Sequence, residues 1–132
     1  MKKKTLHVFL ILTALFMSFS MMSFTQEEEK KAVYVEKETH DFGTINESNG
    51  KVSATFVVHN DSDKPITLVS VRASCGCTTP QWSKEPIEPG KTSEIAVSFN
   101  PKGRSGAVNK RVTVKTDSGE TLVMYIKGIV EK

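Results

Sequence analysis

Apolar and polar residues alternate along several short segments of this chain, and this period of two constrains the fold more than any other feature. Neighbouring side chains of a β-strand point to opposite faces, so the alternation predicts strands with one face in a core. The aligned apolar residues are Val52, Ala54, Phe56 and Val58 in residues 51–60, Ile95, Val97 and Phe99 in residues 93–100, and Leu122, Met124 and Ile126 in residues 121–130.

Residues typical of turns separate these segments. Residues 61–65 and 101–106 are rich in Asp, Ser, Gly and Pro, and Asn49-Gly50 is a strong signal for a hairpin turn. No window longer than a few residues shows the period of an α-helix. The sequence therefore predicts an all-β fold over residues 33–132, an antiparallel immunoglobulin-like β-sandwich of about seven strands.

The first 25 residues have the pattern of a signal peptide. Lys2, Lys3 and Lys4 form a positive cap, and the apolar run that follows, over residues 6–24, gives way to acidic residues just after Thr25. We expect a signal peptide over residues 1–25, a charged leader over residues 26–32 and an exported protein, periplasmic or secreted. The alternative is an uncleaved anchor in the inner membrane, because the apolar run of about 19 residues is close to the roughly 20 residues that a membrane span needs.

The charge balance of the predicted mature chain shows no surplus of basic residues that would bind nucleic acid. The whole sequence has 18 Lys and Arg residues against 15 Asp and Glu residues, and the surplus of three equals the lysines of the signal cap. A neutral mixed surface does not bind the phosphate backbone strongly. We therefore expect no nucleic-acid partner, and membrane association only if the signal segment is retained.

Several strings of residues resemble a known bacterial family. They are Asp41-Phe42-Gly43-Thr44-Ile45, Ser74-Cys75-Gly76-Cys77-Thr78, Ile87-Glu88-Pro89-Gly90 and Phe99-Asn100-Pro101. Together they resemble the exported family catalogued as domain of unknown function 1573. The chain is more distantly similar to the major-sperm-protein and Hydin-type immunoglobulin-like domains. The resemblance implies a seven-stranded sandwich and supplies no activity, because fold alone does not define function.

Cys75 and Cys77 are the two cysteines of the chain, and a disulfide between them is the first interpretation for an exported protein. A straight strand would hold their Cα atoms about 6.6 Å apart, too far for the bond to close. We therefore expect a turn in which Gly76 takes a positive φ angle. Such a bond would be easily reduced, and its loop is too short to stabilise the chain much.

Three other interpretations of the two thiols remain open. Two thiolates suit a soft ion such as Cu(I). Tetrahedral zinc would need two further ligands, for which His40, His59 and Met124 are the candidates, although their spacing does not point to the triplet. The thiols could instead form a disulfide with another protein. The plain structural alternative is a pair of small buried apolar side chains. We therefore expect no resident cofactor, with copper as the alternative.

The sequence predicts a protein without enzymatic activity. A thiol oxidoreductase normally places Cys-x-x-Cys at a helix N-terminus, whereas this chain has one residue between its cysteines and no predicted helix. His40 and Asp41 are neighbours on a strand and would point to opposite faces. No small-molecule substrate is evident.

The leading hypothesis is an interaction or structural module of the cell envelope that contacts another envelope protein. Trp82, the one tryptophan, is a candidate contact residue, with packing at the edge of the core as the alternative. The alternative function is soft-metal binding or redox sensing by Cys75 and Cys77.

Overall fold

Eight β-strands and one short 3-10 helix make up the part of the chain that the computed structural model describes, residues 31–132. The predicted signal segment and residues 26–30 of the leader lie outside it. No helix within residues 31–132 is long and apolar enough to cross a bilayer. The strands are β1 (Val33–Val35), β2 (Thr39–Asn46), β3 (Val52–Asn60), β4 (Leu68–Ala73), β5 (Thr78–Trp82), β6 (Thr92–Phe99), β7 (Gly106–Thr116) and β8 (Thr121–Glu131), and the helix spans Glu47–Asn49.

The strands form two four-stranded sheets, which confirms the predicted immunoglobulin-like sandwich. The first sheet has the order β1-β3-β6-β5 and the second the order β2-β8-β7-β4. All pairs are antiparallel except β2 and β8, which run parallel. The structure has eight strands where about seven were predicted, and residues 33–46 form two of them, β1 in the first sheet and β2 in the second.

The core lies between the inner faces of the two sheets. The aligned apolar positions predicted from the sequence point inward: Phe56, Val97 and Met124 are 3% exposed or less, and Val52, at the start of β3, is partly buried. Burial of a side chain of this size contributes about 1.5–3 kcal/mol. The alternation in the sequence is therefore the direct source of the sandwich.

The prediction of a hairpin at Asn49-Gly50 was wrong. The 3-10 helix Glu47–Asn49 and Gly50, with φ of 80°, carry the chain from β2 in the second sheet to β3 in the first. Asn46 caps this helix, and its side-chain oxygen accepts a hydrogen bond from the Ser48 N–H at 2.9 Å. A positive φ is needed equally in a hairpin and in such a crossover, so the dipeptide does not distinguish them.

A bulge brings β2 unusually close to β8. The pairing register shifts between Asp41 and Thr44, where Gly43 has a φ of 67°, and the Asp41 carboxylate accepts a hydrogen bond from the Gly43 N–H at 2.8 Å. A Cβ atom on Gly128 of β8 would lie 2.8 Å from Ile45 Cδ1 and 3.1 Å from the Gly43 carbonyl oxygen. A side chain at position 128 would therefore force Ile45 or the backbone of β2 to shift.

Asn60 connects the loops at the far end of β3. Its side-chain amide nitrogen donates to the carbonyl oxygens of Lys64 at 2.8 Å and Ile87 at 2.7 Å, and its oxygen accepts from the Ser62 N–H at 3.0 Å. Asn60 is fully buried, and a buried polar group is stable there only when it is hydrogen-bonded. It therefore joins the β3–β4 and β5–β6 connections.

Candidate functional site

The predicted cysteine turn joins two edge strands of opposite sheets. β4 is an edge strand of the second sheet and β5 an edge strand of the first, and residues 74–77 connect them. The Ser74 N–H donates to the Arg111 carbonyl oxygen at 2.8 Å, and the Asn100 N–H donates to the Cys77 carbonyl oxygen at 2.9 Å. We call β4, β5 and the turn between them the β4–β5 edge.

Cys75 and Cys77 are joined by a disulfide in the structure, and their Cα atoms are 5.4 Å apart. The Thr78 N–H donates to the Cys75 carbonyl oxygen at 3.3 Å, which closes a tight turn around the pair. Both cysteines are half-buried, whereas Gly76 is exposed. The disulfide-bonded pair thus lies where the core meets the surface.

The expectation that Gly76 takes a positive φ was wrong. Six glycines of the described chain have positive φ angles, and Gly76 is not among them. A Cβ atom at this position would have no other atom within 4 Å. The i to i+3 turn forms with ordinary backbone angles, because two bends of the chain suffice to shorten the cysteine separation.

Thr78 is a residue of this site that sequence reasoning missed. Its side chain is 4% exposed, and its Oγ1 atom lies 3.8 Å from the sulfur atoms of both Cys75 and Cys77. The signal in the sequence was its position directly after the triplet, at the first residue of β5. The hydroxyl group therefore sits beside the disulfide on its buried side.

Trp82 lies at the other end of the β4–β5 edge, as the last residue of β5. The indole packs against the core, and its Nε1–H donates to the Leu68 carbonyl oxygen of β4 at 3.2 Å. The adjacent Val69 is 56% exposed, one of two large apolar side chains so exposed among residues 31–132. A half-buried indole and an exposed valine thus flank the same backbone carbonyl.

The other candidate ligands of a soft metal lie on other strands, His40 on β2, His59 on β3 and Met124 on β8. His59 lies on β3, where its ring stacks on Tyr34 with centroids 4.9 Å apart and its Nε2 is 3.3 Å from a carboxylate oxygen of Glu36. Met124 is fully buried in the core. Within residues 31–132 no group of three or more His, Cys, Asp or Glu side chains is placed to hold a metal ion.

Burial and neighbouring negative charge raise the pKa of Tyr34 above 10.0. Desolvation is the largest cause, followed by the charge and hydrogen bond of Asp61 and then the charge of Glu36. All four disfavour the phenolate. This phenol therefore stays neutral at physiological pH.

His40 and Asp41 have separate contacts. The His40 ring meets the Phe42 ring edge-on, with centroids 4.6 Å apart, and Asp41 accepts the hydrogen bond from the Gly43 N–H within the bulge. The bulge therefore accounts for the aspartate without an acid–base role.

Each outer edge of the two sheets carries a feature that hinders pairing with a further strand. Pro80 lies within β5 and has no N–H to donate, and β1 is three residues long. β2 contains the Gly43 bulge, and the register of β4 shifts between Leu68 and Ser70. Such features protect edge strands from edge-to-edge association.

Solved structures with the same fold come from distant proteins. A protein of unknown function from Porphyromonas gingivalis W83 matches with a TM-score of 0.63 and 15% identity, over 79% of this chain and 51% of that one. The chain thus spans about half the length of that protein. The ASH/PapD-like domain 7 of human CEP192 matches with a TM-score of 0.65 and 9% identity, over 85% and 96%.

A third likeness is to WR4, an MSP family member from C. elegans, with a TM-score of 0.55 and 9% identity over 76% of this chain and 99% of that one. At these identities the likeness shows the fold alone. Comparison with curated protein sequences gave no match.

A family model covers nearly all of the sandwich. The model described as a protein of unknown function (DUF1573) matches residues 33–130, from the first residue of β1 to the end of β8. The matched range includes the cysteine turn, Thr78 and Trp82. With this match and the sandwich itself, the resemblance noted in the sequence is confirmed: the chain belongs to the DUF1573 family.

Proposed function

We propose that this protein is a non-enzymatic interaction or structural module of the cell envelope, and that it contacts a partner protein through the β4–β5 edge. The observation that carries the proposal is the pairing of Val69, 56% exposed, with Trp82 on an edge held at both ends. Tryptophan is enriched in binding hot spots, and Val69 adds exposed apolar area beside it. Little conformational entropy would be lost when such a surface binds.

Contact through side chains and the cysteine turn is favoured over addition of a strand. Strand addition needs a regular row of free backbone groups. Pro80 interrupts that row on β5, and the register shift next to Val69 interrupts it on β4. A partner would therefore rest on the side chains that project from the edge.

A site-specific crosslinking experiment tests this surface. A photoreactive amino acid placed at Val69 is expected to give a discrete adduct with one envelope protein, and Trp82→Ala should weaken that adduct. Ile129 is the matched control, because it is 53% exposed and lies on β8, away from this edge. Equal labelling from positions 69 and 129, or none from either, would count against the proposal.

Export of the module is part of the same proposal. It is supported by the basic cap and apolar run of residues 1–24. The intact mass of the protein purified from the periplasm or medium should correspond to a chain that begins near Gln26. A full-length mass in the membrane fraction would instead indicate the retained inner-membrane anchor.

A second candidate function is redox sensing or soft-metal binding by Cys75 and Cys77. It is favoured by the half-buried position of both cysteines beside an exposed glycine, which would leave room for a small thiol or ion to approach. Intact mass with and without reductant, followed by thiol alkylation and titration with copper, tests it. If the Cys75→Ser/Cys77→Ser variant binds as much copper and shows the same redox response as the unaltered protein, this candidate fails.

A further inference from the structure

The hydroxyl group of Thr78 has unusual partners for a buried polar group. Three polar residues are buried in the described chain: Asn60, Thr78 and Thr116. Asn60 bonds to backbone carbonyl oxygens, and the Thr116 hydroxyl accepts from the Glu120 N–H at 3.1 Å. The hydrogen-bond partners of the Thr78 hydroxyl within residues 31–132 are the two sulfur atoms of the disulfide.

A disulfide sulfur is a poor hydrogen-bond acceptor, whereas a thiolate is a strong one. A hydrogen bond to an ionised group is roughly twice as strong as a neutral one. The buried Thr78 hydroxyl is therefore weakly satisfied beside the disulfide and better satisfied when one of the cysteines carries a negative charge. This difference in hydrogen-bond strength favours the reduced cysteine pair and any step that expels a thiolate.

We propose that Thr78 is a positioning residue that stabilises the reduced form of the Cys75–Cys77 pair and so makes the pair a site of reversible thiol–disulfide exchange. This inference rests on the redox function given above as the second candidate. The partner is a thiol of the envelope, either a dithiol protein or a small-molecule thiol.

The exchange proceeds in two balanced steps. A partner thiolate attacks one sulfur, forms a mixed disulfide and expels the other cysteine as a thiolate, to which the Thr78 hydroxyl donates. A second partner thiolate then attacks the partner sulfur of the mixed disulfide and releases the remaining cysteine. The partner is oxidised to a disulfide, two electrons reduce the Cys75–Cys77 bond, and two protons complete the thiols.

The test is a redox titration of the Thr78→Val variant. Equilibration of the whole exported protein in glutathione buffers, followed by alkylation and intact mass, gives the equilibrium constant for reduction. A net hydrogen bond of ordinary strength corresponds to about a fivefold change. The variant should therefore be about fivefold harder to reduce, a shift of about 20 mV for a two-electron couple, and small thiols should attack its disulfide more slowly.

Two matched variants separate this effect from a general disturbance of the turn. Thr78→Ser keeps the hydroxyl and should stay within about twofold of the unaltered protein. Thr79→Val removes an exposed hydroxyl from the next position of the same strand and should change nothing. If Thr78→Val does not fold, as judged by circular dichroism, Thr78→Ala and Thr78→Ser give the same comparison.

Equal equilibrium constants for the hydroxyl-bearing and hydroxyl-free variants would overturn the role of Thr78, although the pair itself would remain redox-active. A pair that no thiol buffer reduces in the folded protein would overturn the redox function instead. The two failures are thus distinguishable in one set of titrations.

Discussion

Replacement of Gly128 with alanine should destabilise the sandwich by about 2 kcal/mol, within the range of about 1–3 kcal/mol for overpacking a close-packed core. The new methyl group would lie 2.8 Å from Ile45 Cδ1 and 3.1 Å from the Gly43 carbonyl oxygen, whereas ordinary contacts of a Cβ atom begin near 3.4 Å. Ile45 is 3% exposed, so a shift of its terminal methyl group would disturb its neighbours in the core. Either the Ile45 side chain or the backbone of β2 must therefore shift.

A double-mutant cycle identifies the contact responsible. Ile45→Val removes the Cδ1 atom and should cost about 0.5–1.5 kcal/mol alone. Combined with Gly128→Ala it should cost about 1 kcal/mol less than the sum of the two changes, because the shortened side chain makes room for the methyl group. Urea unfolding followed by circular dichroism gives the free energies of unfolding.

The control is Gly76→Ala, the same chemical change in a place with no other atom within 4 Å of the new Cβ. Its effect should stay within about 0.5 kcal/mol, as for most surface substitutions. Additive costs of Gly128→Ala and Ile45→Val, or an equal loss from Gly76→Ala, would refute the steric reasoning.

Three further predictions follow from buried or shielded polar groups. Asn60→Ala leaves the carbonyl oxygen of Ile87 without its side-chain donor and should cost at least about 2 kcal/mol in urea unfolding. Trp82→Phe removes the hydrogen bond to the Leu68 carbonyl oxygen and should cost about 1 kcal/mol by the same measurement. Because the pKa of Tyr34 is raised in the folded state, its contribution to stability is full below pH 10.0 and is lost as the pH rises through the folded-state value. Tyr34→Phe should flatten the alkaline fall of the thermal midpoint, and an unchanged fall would contradict the assignment.

The alternation of apolar residues was sufficient to predict β3, β6 and β8 and their buried faces. Ile95, Val97 and Phe99 are fully buried, as their spacing on β6 required. The same alternation does not show which strands are neighbours in a sheet, because the pattern describes the two faces of a strand and not its two edges. The crossover at Gly50 and the parallel pairing of β2 with β8 therefore emerged only from the structure.

The candidate site was predictable in part. Cys75 and Cys77 were evident from the sequence, since they are the chain's two cysteines. The role of Thr78 depends on a strand that begins immediately after the turn and directs the hydroxyl inward. The position of Trp82 depends on a hydrogen bond to a backbone carbonyl oxygen of the opposite sheet. Contacts between sheets arise from tertiary packing, which short-range patterns do not describe.

The parallel pairing of β2 with β8 also determines how the domain would respond to mechanical load. β1 begins beside Asn60, at one end of the sandwich, and β8 ends beside Gly106, at the other. Tension between residues 33 and 131 would therefore pull β2 and β8 in opposite directions along their length. Their backbone hydrogen bonds would be loaded together in shear, not opened one after another like a zipper. A sandwich with this strand order is suited to carrying force along its long axis.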